Sequence, residues 1–292
     1  MKKLLLLLCL GIILVAGCGQ NQNSTTVETW TDEGIVFSPD QFTNAIIVAD
    51  PSVLTMADGT YRMYFSIAKT GVAAALYYAT SSDGAAWTAQ PAVLLADVSV
   101  SRPYKLSDGR IRLYYNANSN SEFLSAISSD GLSWTVESGK RLSLSSDGED
   151  KAAIDMGTVD TFDGSTYRMY YGGAKTSSNP IPYKILSATS ADGLDFTREL
   201  GVRFTSDTGR ATHPHVFKHG SKYIMYYSTN NIVYKATSDN ALTWTEIGST
   251  GVAGNDPFVM QLSNGNWRMF YGTYDATTGK GYIRSALATQ IL

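Results

Sequence analysis

From residue 30 onward, short runs rich in Tyr, Ile, Leu, Val and Met alternate with polar turns, a pattern that predicts strands joined by hairpins. One run recurs five times: YRMYF at 61–65, IRLYY at 111–115, YRMYY at 167–171, YIMYY at 223–227 and WRMFY at 267–271. Before each copy stands a turn read as two residues, Asp58-Gly59, Asp108-Gly109, Asp163-Gly164, His219-Gly220 or Asn264-Gly265, residue types that tolerate positive φ. A third strand follows each copy (ALYYATSSDG after the first, for example). A further turn then leads to Trp87, Trp134, Phe196 or Trp244 at the head of a fourth strand. The fifth copy stops one strand short, and WTDEGIVF at 30–37 supplies the missing Trp-Thr opening at the other end of the chain.

Four antiparallel strands in a repeat of about 45 to 55 residues make the size of a β-propeller blade. The expectation is one all-β domain over residues 29–292: a five-bladed β-propeller of four-stranded antiparallel blades, closed by the N-terminal strand, which also covers an open sheet edge.

Composition changes the picture at the N-terminus. Residues 1–18, MKKLLLLLCLGIILVAGC, combine a basic start, an apolar stretch and a small-residue exit, the pattern of an export signal. Val15-Ala16-Gly17-Cys18 resembles the bacterial lipobox, which implies lipidation at Cys18 and a lipoprotein of the cell envelope; a plain secretory signal is the other reading. Cys9 then leaves with the signal, so no thiol pair remains for a disulfide or a Cys-based metal site. Residues 19–28 are polar and read as a flexible tether. The 292 residues carry net charge −3 with no basic run after Lys2 and Lys3, which excludes a nucleic-acid partner on charge grounds. Membrane contact is expected only through the lipid anchor, and the chain is expected to be a monomer.

Repetition separates scaffold from chemistry. Arg62, Arg112, Arg168 and Arg268 recur at one repeat position and are expected to pair with turn carboxylates or stack between blades. The Tyr-rich second strands read as inter-blade core, and Asp58, Asp108, Asp163 and His219 as turn formers. SSDGAAWT and SSDGLSWT resemble the Asp-box turns of sialidases, although those place a residue between Asp and Gly.

The first strand of each blade lines the channel, so the residues at its start should ring one mouth. Asp50, Asp155 and Asp256 each lie nine residues before the Gly of their hairpin turn; the shorter copies two and four offer Arg102 in SRPYKL and His213 and His215 in THPHVF. Here the chain resembles the five-bladed glycosidases, the arabinanases and xylosidases of glycoside hydrolase family 43, with invertase-like enzymes and mannoside phosphorylases more distant. The resemblance implies a carbohydrate partner and an inverting hydrolysis. In ADPSV it implies Asp50 as general base, and in IDMGTV Asp155 as general acid. THPHVF resembles a family segment whose His lies near the channel centre. No cofactor is expected beyond a calcium ion or ordered water there, and no metal held by protein ligands alone. Arg102, His213, His215 and Asp256 are expected to orient the sugar.

Two departures bear on that reading. Asp155 stands where most of the family has Glu, and Arg102 stands where a third carboxylate would tune the acid. An inverting pair needs one protonated and one ionised carboxyl roughly 6.5–9.5 Å apart, and an Arg beside Asp155 would hold it ionised. The alternative is a catalytically inactive carbohydrate-binding or protein-interaction propeller. Phosphorolysis, a third route, would need more basic groups at the mouth than one Arg and two His.

Overall fold

The computed structural model describes residues 28–117 and 120–291. The signal, the lipidation site Cys18 and the tether up to residue 27 lie outside the described residues. Among the described residues the chain is all-β, with one short 3-10 turn at Pro39–Gln41, and no helix there is long and apolar enough to cross a membrane. Strands follow the repeat. Unit one is Ala45–Thr55, Tyr61–Lys69, Val72–Ser81 and Thr88–Ala96. Unit two is Ser101–Lys105, Ile111–Asn116, Glu122–Ser128 and Thr135–Val136, and unit three is Ala153–Asp160, Tyr167–Ala174, Lys184–Ser190 and Thr197–Arg198. Unit four is Thr212–His219, Lys222–Thr229, Ile232–Ser238 and Thr245–Ala253. Unit five is Asn255–Gln261, Trp267–Asp275 and Lys280–Ala288, and Thr31–Phe37 pairs antiparallel with its last strand as expected.

Pairing departs from five separate four-stranded sheets in two places. Leu142–Ser143 adds a fifth strand to unit two. Units five and one merge into one eight-stranded sheet through a single parallel bridge, Ile47 to Gly281. Gly281 permits that bridge, since a Cβ there would lie 2.7 Å from Ile47 Cγ2. No sheet closes on itself among the described residues. The hairpins of units one, two and five are also one residue longer than read. Met56, Leu106 and Leu262 close them onto Thr60, Arg110 and Asn266, and Gly59, Gly109 and Gly265 sit at φ 83°, 87° and 87°.

Each unit meets the next through one recurring contact. The aromatic that opens a fourth strand packs edge-on against a second-strand aromatic of the preceding unit: Trp134 on Tyr64, Phe196 on Tyr114, Trp244 on Tyr170, Trp30 on Tyr226 and Trp87 on Phe270. All five centroid distances fall between 5.5 and 5.9 Å, in the range favoured by edge-to-face rings. Beside them, the Tyr64 hydroxyl donates to the Gly131 carbonyl and the Tyr114 hydroxyl to the Gly193 carbonyl, both at 2.9 Å. The repeated arginines reach the same turns: Arg62 donates to the Asp130 carbonyl, Arg112 to that of Asp192 and Arg268 to that of Gly84. Three of them pair with carboxylates on or just past the fourth strands instead of turn carboxylates: Arg268 with Glu33 on the strand, and Arg112 with Glu137 and Arg168 with Glu199 one residue past it.

The seam between units four and five uses a different acceptor, because its fourth strand comes from the N-terminus. Glu28 accepts hydrogen bonds from Tyr226 and Trp30 and pairs with the buried Lys235. The last residue of the expected tether is thereby fixed on the sheets. First strands also lie side by side in order, from unit one through unit five and back to unit one.

Candidate functional site

The starts of the first strands converge on one buried cluster. Asp50, Arg102, Asp155, His215 and Asp256 are all buried, and His213 is nearly so. Their backbone explains how a strand can present them. In three strands a residue before proline sits in the left-handed region: Asp50 at φ 59°, His213 at 50° and Asp256 at 54°. At each, the pairing slips, so that Asp50-Pro51, His213-Pro214 and Asp256-Pro257 bulge out of register. Proline removes the ladder donor there, and the bulge re-aims the preceding side chain. Left-handed backbone at a non-glycine residue costs of order 1–3 kcal/mol and clusters at functional sites.

Backbone geometry therefore groups Asp50 with His213 and Asp256, whereas spacing from the hairpin glycine grouped Asp50 with Asp155 and Asp256. The strand of Asp155 bulges two residues later, at Gly157, and Arg102 lies on a regular strand opposite Tyr114.

A chain of contacts crosses the cluster. The Thr212 hydroxyl donates to Asp155 Oδ2 at 2.7 Å, and His213 Nε2 lies 2.7 Å from the same oxygen. His213 Nδ1 lies 2.7 Å from Asp256 Oδ1, close in distance but out of line for a hydrogen bond. The Asp256 and Asp50 carboxyls lie side by side, within 4.8 Å, and the Ser66 hydroxyl donates to Asp50 Oδ2 at 2.5 Å.

Burial pushes the Asp50 carboxyl up to about 7, reinforced by the charge of Asp256 and opposed by His213, Ser66 and Arg102. Burial pushes Asp256 up as well, but the His213 charge outweighs it and holds the carboxyl below its ordinary value. His213 is held well above the usual imidazole range: burial opposes its charge, and the carboxylates of Asp155 and Asp256 prevail. His215 goes the other way, down to about 3, through burial and the charge of Arg102. It is neutral, and its Nε2 lies 2.9 Å from the Val259 carbonyl, which places the proton on Nε2.

Arg102 is 4% exposed and feels the charges of Asp50, Asp256 and Asp155, while burial pulls its basicity down. It makes no ion pair with a carboxylate among the described residues. Its Nη1 donates to the Ser101 carbonyl, and Nε and Nη2 have no partner. Ser52 Oγ and His215 Nδ1 also lack partners, and these three residues border a cavity of about 280 Å³ that continues along the first strands past Leu54, Lys105 and Asp160.

Sequence reading missed the groups that hold the cluster. The residue after each recurring run is Ser66, Asn116, Gly172, Ser228 or Gly272. Ser66 binds Asp50, Ser228 accepts from the Asp256 N–H, and Asn116 accepts from the Met156 N–H. Gly172 and Gly272 leave room: a Cβ would lie 3.5 Å from Asp155 Cβ at the first and 3.0 Å from Asp256 Oδ2 at the second. The change from aromatic to small or polar at that position was the available signal. Thr212 carried none.

Asp50, His213 and Asp256 each offer a ligand-capable atom within 4.8 Å of the others, so the cluster can be tested as a seat for the calcium ion that the resemblance implies. The fit fails. The carboxylates of Asp155 and Asp256, each 2.7 Å from the ring, hold His213 protonated, which leaves no lone pair for a metal. The Arg102 cation lies buried among the carboxylates that would have to bind one.

No protein-family model matches the chain. An uncharacterized protein of Mycobacterium tuberculosis is 34% identical over 95 residues, 30% of this chain and 32% of that protein, so the chain matches about a third of that relative's length. Among solved structures, a family 117 glycoside hydrolase of the marine bacterium Zobellia galactanivorans superposes with TM-score 0.70 at 14% identity, over 90% of each chain. A thermostable family-43 glycoside hydrolase gives 0.65 at 16% identity, over 82% of this chain and 88% of its own. A family-43 β-xylosidase/α-arabinofuranosidase from a compost metagenome, in complex with xylotriose and in a calcium-free form, gives 0.63 at 19%, over 88% and 95%. At such identities the likeness concerns the fold: the chain shares the architecture of the family-43 and family-117 glycoside hydrolases.

Proposed function

We propose that this chain is an exported, lipid-anchored, monomeric five-bladed β-propeller that hydrolyses a glycosidic bond in a plant or microbial oligo- or polysaccharide. Five like seam contacts and the cyclic order of the first strands support a ring closed by Thr31–Phe37. In this reading Asp50 is the general base and Asp155 the general acid of an inverting reaction. Arg102, His213, His215 and Asp256 orient the sugar, and Cys18 carries the lipid.

The observation that carries the proposal is Asp50 itself. It is a buried carboxyl on strained backbone, poised at about 7, where a general base works best near neutral pH. The Ser66 hydroxyl fixes one of its oxygens. Xylotriose and 1-kestose, bound by the compost enzyme and by a fructan exohydrolase of Cichorium intybus, make short xylo- and fructo-oligosaccharides the first substrates to try. A panel of polysaccharides scored for reducing-end release, followed by Asp50→Asn, tests the reading. We expect release from at least one glycan and a loss of about 10²–10⁴-fold in the variant; undiminished turnover would remove Asp50 from the chemistry.

A second reading, a glycan-binding propeller without hydrolysis, is favoured by one contact set. Asp155 Oδ2 receives both Thr212 and His213, an arrangement suited to an acceptor and not to a proton donor. Saturable binding with no release from any glycan of the panel would select it.

A further inference from the structure

We propose that two equivalent pockets on the outer perimeter, at the seams between units three and four and between units four and five, bind a neutral polysaccharide chain away from the Asp50 cluster; this rests on the reading of the partner as carbohydrate.

The repeat builds both pockets alike. In units four and five the residue two after the tryptophan that opens the fourth strand is a carboxylate, Glu246 after Trp244 and Asp32 after Trp30, whereas the other three units have Ala89, Val136 and Arg198 there. Alternate residues of a strand share a face, so each carboxylate stands beside its tryptophan. The last tyrosine of the recurring run holds it in place: the Tyr227 hydroxyl donates to Glu246 Oε2 and that of Tyr271 to Asp32 Oδ1, both at 2.7 Å. The other wall comes from the end of the preceding unit, residues 202–207 at one seam and 251–253 at the other. The two cavities measure about 480 Å³ and 390 Å³, sizes that hold small ligands.

Each lining suits a sugar, whose C–H faces pack on an indole while its hydroxyls donate to a carboxylate and accept from a guanidinium. Both pockets carry that guanidinium. Arg284 pairs with Asp32 at the second. At the first, Arg203 donates to the Leu200 and Gly201 carbonyls and pairs with no carboxylate among the described residues. Its Nε and the Trp244 Nε1 are buried without hydrogen-bonding partners. Acid and base stand together in each pocket, which favours an uncharged glycan over a uronate or a sulfated chain. Two weak sites on one ring act together on a shared chain, so a polymer is held where a short oligosaccharide is not.

The full chain is run through native gels holding each polysaccharide of the panel, and hydrolysis of a short oligosaccharide is measured alongside. Wild type and Asp50→Asn are expected to be retarded alike. Glu246→Ala combined with Arg284→Ala should weaken polymer binding at least about tenfold and leave oligosaccharide hydrolysis unchanged. If that double variant does not fold, Thr205→Arg combined with Thr273→Arg fills both pockets without touching those hydrogen bonds, and the same loss is expected. Either double variant, folded and retarded as the wild type is, would overturn the proposal, as would a wild type that passes every gel freely. Hydrolysis without retardation would remove the perimeter sites and spare the glycosidase reading; retardation without hydrolysis would do the reverse.

Discussion

The outer turns and the inner strand heads of this molecule are built from the same repeat and have opposite characters. At the outer turns the copies agree. Ser81, Ser128, Ser190 and Ser238 accept from the backbone N–H of Gly84, Gly131, Gly193 and Ala241 three residues on, at 2.8–3.0 Å. Asp83, Asp130 and Asp192 accept two backbone N–H bonds each, which holds these exposed carboxyls below their usual range. At the heads the copies diverge into Asp50, Arg102, Asp155, His213 and Asp256, all drawn into a single cluster. A position that repeats with its bonds satisfied serves the scaffold. One that varies, is buried and sits on strained backbone is where a repeat protein keeps its chemistry.

The contrast predicts effects of graded size. The largest concerns pH. With Asp50 as base, its ionised fraction falls about tenfold per unit below its value of about 7. Hydrolysis at pH 5 should therefore run about a hundredfold below that at pH 8; a flat rate profile would break the assignment. Stability carries the opposite sign. The folded state raises this carboxyl above its ordinary value, so its contribution is full below about pH 4 and is lost as pH rises to about 7. Asp50→Asn should flatten that slope in urea titrations.

Next comes the seam held by the N-terminal segment. Glu28→Ala strands Lys235, whose side chain is 4% exposed, and should cost about 3–5 kcal/mol in denaturant unfolding. A loss under 1 kcal/mol would mean that Glu28 is not a structural part of the seam. The smallest effect belongs to a repeated contact: Tyr114→Phe removes the bond to the Gly193 carbonyl but keeps the ring on Phe196, and should cost about 1 kcal/mol with hydrolysis unchanged. A drop in activity there would blur the division between scaffold and site.

The division also explains what was legible in the sequence. Five aromatic runs with glycine turns define the units, because strands and tight turns are local choices repeated often enough to read. The six candidate residues could be named from the starts of the first strands, and the structure draws them together. The grouping was not legible. Four of the heads precede proline, at 51, 103, 214 and 257, yet three bulge and Arg102 does not, and the dipeptide alone does not distinguish them. Nor does Glu28 announce itself: a polar stretch looks solvent-borne until a buried Lys235 on another unit requires its charge.

Thr31–Phe37 finds its partners at the far end of the chain, as Asp32 and Arg284, 252 residues apart, illustrate. Every other strand can find a neighbour within its own repeat as the chain leaves the ribosome. This one must wait for the last repeat to emerge, which makes its docking the step of greatest loop-closure entropy. A circular permutant carrying 28–37 after residue 291 would turn that slow, distant pairing into one more hairpin.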